Sequence, residues 1–163
     1  MDAIARHARV GKQTIYRWWP TKGAVVFEAV LGDGPDRLVI PDTGDFHSDL
    51  KTFLRTAVAE FSEPSFDRLM RAVTIGFQED AALARELQRR ILGLLTAITV
   101  DWIEAASSNG QVDPDVDPAT LAELIYGPLL RRWLLGTGKL DREFADAVAE
   151  MIGRVVSSPG RGR

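Results

Sequence analysis

The chain has 163 residues, 45% of them apolar, and a formal net charge of −3, which is enough material for one good core or for a small head joined to a larger body. It contains no cysteine and only two histidines, His7 and His47, far apart in sequence, so disulfides and thiolate metal sites are excluded and a zinc centre is disfavoured. No apolar run approaches the ~20 residues of a membrane span and no signal-peptide h-region opens the chain, so the expected setting is the cytoplasm, with no membrane partner.

The charge is unevenly spread. Residues 1–31 hold Arg6, Arg9, Lys12, Arg17 and Lys22 against Asp2 and Glu28, a net of +3, and the remaining 132 residues carry −6. A basic head on an acidic body binds a polyanion with one end only.

In chain order, three short helices are expected between Asp2 and Leu31. Ile4, Ala5 and Ala8 form the apolar stripe of the first, and its small side chains permit close approach of a crossing helix. After a tight turn, the second places Ile15 and Trp19 on one side and Lys12, Gln13, Tyr16 and Arg17 on the other, with Val10 adding apolar mass. Pro20 ends it, and Thr21 is a plausible N-cap for the third. On the outward side, Thr14 and Tyr16 offer hydroxyls, Trp18 an indole N–H, and Lys12, Arg17 and Lys22 charge suited to phosphate contacts. Lys12 and Gln13 sit at the helix N-terminus, where Lys suits guanine and Gln suits adenine, each good contact discriminating by ~1–3 kcal/mol.

Further along, Leu31-Gly32-Asp33-Gly34-Pro35 stops the third helix, and residues 32–46 read as a linker. Helices are expected over about His47–Ser62, Phe66–Gln78 and Asp80–Ser108, the last ending at the C-cap pair Asn109-Gly110. Two more, Pro118–Leu135 and Asp141–Val156, precede a disordered tail over 157–163. No β-alternating stretch and no internal repeat is present, so the fold class is all-α.

The string from Ile4 to Lys22 resembles the helix-turn-helix of TetR-family transcriptional regulators: Ile-Ala-x-x-Ala-Gly-Val, a small residue, two variable positions, then Thr-Ile/Leu-Tyr-x-aromatic-aromatic-x-x-Lys. The departures are Arg9, where the family usually has Gly, and Gly11, where a capping residue is common. Arg9 is therefore expected to take a left-handed or strained backbone that Gly adopts freely. A second stretch, Asp117-Pro118 and then Leu124 through Gly138, resembles a common TetR-type C-terminal domain.

The resemblance implies a head at 1–31 and an effector-binding and dimerisation domain at 47–156. Within the head, Lys12, Gln13 and Tyr16 approach bases, Thr14, Arg17, Trp18 and Lys22 hold phosphates, and Ile4, Ala8, Val10, Ile15 and Trp19 form the core. It implies an effector cavity, for which the candidates are Phe53, Phe61, Leu69, Val73, Phe77, Leu94, Ile98 and Trp102. Thr74, Thr96 and Thr99 lie nearby, although threonine in a helix often bonds its own i−4 carbonyl. It also implies a two-fold dimer through the last two helices, for which the candidates are Ile125, Leu129, Trp133, Phe144, Val148, Met151, Ile152 and Val155.

Other chemistry finds no support in the sequence. Asp113-Pro114-Asp115-Val116-Asp117-Pro118 imitates the start of a calcium loop but has Pro at the sixth position and Leu124 at the twelfth, and reads instead as the loop that leads into a helix. No phosphate-binding Gly-rich signature, nucleophile elbow or His-Glu-x-x-His helix occurs, so no enzyme activity, metal or cofactor is expected. The expected function is a regulator, most simply a repressor released from a palindromic double-stranded DNA operator by a small-molecule effector. TetR-family heads begin with a helix ahead of the one at Ile4, and Met1 stands where that helix's following turn should end. The expectation is a misassigned start; the alternative is a headless ligand-binding and dimerisation protein that titrates a full-length partner.

Overall fold

The computed structural model describes residues 5, 6, 9, 11, 13, 14 and 17, and residues 40–157 apart from residue 80; the side chains of residues 76, 77, 79, 83, 86, 87, 90 and 91 lie outside that description. Every regular element among the described residues is helical: α1 (Phe46–Ser62), α2 (Pro64–Glu79), α3 (Ala81–Leu87), a π-helical turn (Gln88–Leu92), α4 (Gly93–Ser108), α5 (Pro118–Leu135) and α6 (Arg142–Val156). The chain divides into two compact units, one of Met1–Arg37 with Arg68–Leu92 and the other of Leu38–Asp67 with Gly93–Arg163.

Four helices, α1, α2, α5 and α6, each start on a carboxylate. Asp45 accepts from the Ser48 amide at 3.0 Å, Asp117 from the Thr120 amide at 2.8 Å and Asp141 from the Phe144 amide at 3.0 Å, while Glu63 accepts from the Ser65 and Phe66 amides at the head of α2. Each bond satisfies a donor that the first helical turn leaves orphaned. Pro118 follows its cap at the first helical position, where a missing N–H costs nothing. The other end of α4 closes as the Asn109-Gly110 pair predicts. Gly110 adopts φ +74°, its amide donates to the Ser107 carbonyl, and the Gln111 amide donates back to Ala106, each at 2.9 Å, a Schellman termination.

The Gln111 side chain then staples two elements, donating to the Gly44 carbonyl at 3.0 Å and accepting from the Phe46 amide at 2.6 Å. Asp49 is a buried carboxylate satisfied by the amide and hydroxyl of Thr43, both at 2.8 Å. A carboxylate so enclosed is tolerable only because it is hydrogen-bonded. The core of the second unit joins Leu50 and Leu54 of α1, Ile103 of α4, Leu121, Ile125 and Leu129 of α5 and Val148 of α6, all fully buried. Each such side chain contributes about 1.5–3 kcal/mol. α1 lies along α6, and α4 along α5.

The first unit includes the rest of α2, α3 and the π-helical turn. The sequence predicts one unbroken helix over 80–108, whereas the structure inserts a π turn at 88–92. Leu83, Leu87, Ile91 and Leu95 recur every four residues, a spacing that a wider π turn accommodates as well as an α turn. Apolar spacing therefore could not locate the change. In the described part of the head, Ala5 is helical and buried, and Arg9 adopts φ +54°, the left-handed backbone that its departure from Gly predicts. The Arg9 amide bonds the Arg6 carbonyl at 3.3 Å, and the Thr14 amide bonds the Gly11 carbonyl at 3.0 Å as the next helix starts.

Candidate nucleic-acid interface and partner surfaces

Three of the seven expected DNA contacts are described. Gln13, Thr14 and Arg17 are helical and exposed, at i, i+1 and i+4 of one turn, so one side of that turn presents an amide, a hydroxyl and a guanidinium outward. Lys12, Tyr16, Trp18 and Lys22 lie outside the described residues, as do Ile4, His7, Ala8, Val10, Ile15 and Trp19.

The expected effector residues divide between the units, with Leu69, Val73 and Phe77 in the first and Phe53, Phe61, Leu94, Ile98 and Trp102 in the second. Val73 is buried, Leu69 half-buried, and the Phe77 side chain lies outside the description. In the second unit, Phe53 is a core side chain meeting the Tyr126 ring edge-on at 5.8 Å, and Trp102 packs on Phe46 at 4.5 Å. Phe61 sits between Phe66 and Trp133. Leu94 and Ile98 are 48% and 41% exposed. Thr74 and Thr99 donate to their i−4 carbonyls, Met70 and Leu95, at 2.8 Å, and Thr96 is exposed. With the proton of Thr99 spent on Leu95, the Tyr126 hydroxyl 2.8 Å away donates to Thr99. Burial pushes the Tyr126 phenol up. An open cleft of about 670 Å³ lies elsewhere, beside the start of α1 and the end of α6, among His47, Gln111, Glu150, Gly153 and Arg154, and includes none of the expected effector residues.

On α5 and α6 the expected partner residues fall into buried and exposed sets. Ile125, Leu129, Trp133, Val148 and Ile152 are buried within the chain's own core. Phe144 is half-buried, with the Arg132 guanidinium 3.6 Å above its ring. Of the eight candidates, only Met151 and Val155 stand well exposed, joined by Leu124, Leu130, Leu134 and Leu135, each 42–62% exposed. The physical reason is that α5 is apolar on most of its circumference, so apolar periodicity identifies the helix as packed without saying which side meets its own core.

Three long-range polar pairs escaped the sequence reading, because no local pattern announces a partner dozens of residues away. The Arg55 guanidinium grips Asp146 through two bonds of 2.6 and 2.7 Å, tying α1 to α6, with Lys51 at 3.9 Å. The hydrogen bond from Arg55, then its charge and that of Lys51, hold the Asp146 carboxyl below its ordinary value. The Trp133 indole donates to Asp67 at 2.7 Å, and Tyr126 donates to Thr99 as described. Asp113 and Asp117, read as part of a helix-leading loop, behave so: Asp113 accepts from the Asp115 amide at 2.9 Å and Asp117 caps α5. Among the described residues, no three His, Cys, Asp or Glu side chains group to hold a metal, and no helix is long and apolar enough to cross a membrane.

An all-helical body joined to a basic segment, in which a left-handed turn separates two helical pieces and the second presents polar side chains outward, has the build of a helical transcription regulator. Residues 40–152 match the family described as the tetracyclin repressor-like C-terminal domain. The chain is 32% identical over 135 residues to the uncharacterized HTH-type transcriptional regulator YdeS of Bacillus subtilis, covering 83% of this chain and 68% of that protein. It is 26% identical over 164 residues to the DNA-binding transcriptional repressor TetR of Mycobacteroides abscessus, covering 98% and 84%. Among solved structures, that of the TetR family transcription regulator SCO0332 superposes with a TM-score of 0.75 at 28% identity, covering 97% of this chain and 85% of that one. The chain belongs to the TetR family of transcriptional regulators, and it is not an enzyme. It spans about two thirds of the length of several of these relatives, 68% of YdeS and 66% of the Mycobacterium bovis regulator Mb1581.

Proposed function

We propose that this chain acts as a homodimeric cytoplasmic repressor that holds a palindromic DNA operator and releases it when a small effector binds. The observation that carries the reading is the outward set Gln13, Thr14 and Arg17 on one helical turn of a basic segment, attached to a body of the tetracyclin repressor-like kind. Gln13 supplies a base-edge contact, and Thr14 and Arg17 supply phosphate contacts that fix register; Lys12, Tyr16, Trp18 and Lys22 complete the set. Two recognition helices related by a two-fold axis would enter major grooves one turn apart, ~34–36 Å, so the operator mirrors the dimer. The dimer is closed by the exposed leucines of α5 with Met151 and Val155 of α6, in place of side chains already buried. An effector acts by preferring the state that does not bind DNA, and a near-complete switch demands a preference of ~10⁴-fold.

The test is selection of duplexes from a random pool followed by footprinting on the recovered sequence. The reading expects protection of two inverted half-sites centred about 10 base pairs apart. Gln13→Ala should relax the base preference at one position in each half, and Arg17→Ala should weaken all sequences alike and lower the salt dependence. No protection on any selected duplex, together with capture of a second family member by the chain, would replace it with the titrating role. Deletion of the gene should raise transcription of its neighbours; a fall would make the protein an activator.

A further inference from the structure

One boundary between the compact units falls inside a helix. Residues 64–67, the first turn of α2, belong to the second unit, and residues 68–79 belong to the first, which also contains residues 1–37. Among the described elements α2 alone is divided in this way. Its first turn is held within the second unit by three sets of contacts. Glu63 accepts from the Ser65 and Phe66 amides. The Phe66 ring meets Phe61 edge-on at 5.2 Å, and Phe61 in turn meets the Trp133 ring of α5 at 5.5 Å. The Trp133 indole then donates to the Asp67 carboxylate at 2.7 Å. Trp133 is 7% exposed, and an indole N–H is a donor with no acceptor capacity, so a Trp enclosed at this place demands a partner. Asp67 supplies a carboxylate, the stronger kind of acceptor.

We propose that Asp67 and Trp133 are positioning residues: their bond fixes the direction in which α2 leaves the second unit, and so sets the half-site spacing that the DNA-bound protein accepts. Apolar burial is non-directional, so the ring contacts hold the turn in place without fixing its angle. A hydrogen bond weakens steeply as its angle departs from linear, and this one reaches the last residue of the turn. The step from bond to spacing is leverage. α2 continues as α-helix through Glu79, and residues 68–79 span about 18 Å at 1.5 Å per residue. A tilt of about 10° at the first turn displaces the far end of such a rod by about 3 Å, close to the ~3.4 Å between successive base pairs. Half-site spacing is a geometric property of the bound protein, so a displacement of that size is a full step of error. With the bond absent, the same bases are read but neighbouring spacings become acceptable.

This inference rests on the operator-binding reading above, and the experiment separates the two. The full chain and the variants Asp67→Leu, Asp67→Asn and Trp133→Phe are titrated by fluorescence anisotropy. The duplexes are the selected palindrome and the same palindrome with one base pair inserted or removed at its centre. The parent should bind the altered duplexes about tenfold or more weakly. Asp67→Leu has nearly the same shape without an acceptor, and Trp133→Phe keeps a ring without the donor. Both should bind all three duplexes within about threefold of one another, with the base preference in each half-site unchanged. Asp67→Asn loses the charge but keeps the acceptor oxygen, and should discriminate as the parent does. Asp67→Leu and Trp133→Phe that discriminate as sharply as the parent overturn the proposal and leave operator binding standing, as does a parent that binds but is indifferent to spacing. A parent that binds no selected duplex overturns both. Helix content by circular dichroism should be unchanged in all three variants; loss of helix in both Asp67→Leu and Trp133→Phe would make the bond a condition of folding rather than of spacing, and overturn the proposal.

Discussion

α1 and α5 have similar lengths and near-equal inward faces, yet their outward faces differ in kind. α1 buries Phe46, Leu50, Phe53, Leu54 and Val58 and turns Ser48, Thr52 and Thr56 to the outside; α5 buries Leu121, Ala122, Ile125, Leu129 and Trp133 and exposes Leu124, Leu130, Leu134 and Leu135. The first has its partners inside the chain on one side and solvent on the other. The second has a partner inside the chain and apolar surface to spare outside it, which is what an interface between chains leaves on an isolated protomer.

The comparison breaks most forcefully from within. Leu54→Ala on α1 and Ile125→Ala on α5 should each cost about 2–5 kcal/mol in chemical denaturation, because both side chains are fully enclosed and leave a cavity; a loss below 1 kcal/mol at either would mean that its inward face is not the core described. Substitution on the outward faces should then separate the helices. Leu134→Asp should leave the thermal unfolding of the protomer within about 0.5 kcal/mol and abolish the proposed dimer, read by sedimentation, whereas Thr56→Asp on α1 should change neither.

Smaller effects sharpen the picture at the helix ends. Gly136, after α5, and Arg9, in the head, adopt nearly the same left-handed backbone, at φ +61° and +54°, but only the glycine does so without steric cost. Arg9→Gly should stabilise the head by about 1 kcal/mol, the left-handed penalty of roughly 1–2 kcal/mol less the chain entropy that Gly surrenders, read as slower amide exchange around residues 5–17. The smallest effect is in pH. Asp146, bonded to Arg55 and lying near Lys51, and Asp117, bonded to Thr120, both have carboxyl values lowered from the ordinary 3.8. A depressed acid contributes stability above its unfolded value that is lost as pH falls through the folded one, so α1–α6 and the start of α5 should weaken only below about pH 4. Asp117→Asn should flatten the acid limb, and an unchanged limb would remove the cap from the account.

What was legible in the sequence was local. The helix-leading loop at Asp113–Pro118, the cap at Asn109-Gly110, the helix from Pro118 to Leu135 and the conformation at Arg9 all follow from residues within a turn of the feature they cause. What was not legible required knowing which elements meet. That Trp133 has Asp67 and Phe61 beside it is not written within a turn of it; Ile125 and Leu129 share a helix with Leu124 and Leu130, and periodicity alone assigns neither pair to the core. The π turn at 88–92 escaped because a spacing of four fits both windings.

The most direct test of a dimeric operator-binding regulator is the stoichiometry of the full chain on a selected duplex, measured by sedimentation equilibrium. Two chains of 18.0 kDa each per palindromic duplex, falling to none when both half-sites are scrambled, is the result this account predicts. One chain per duplex, or binding indifferent to the scrambling, would contradict it.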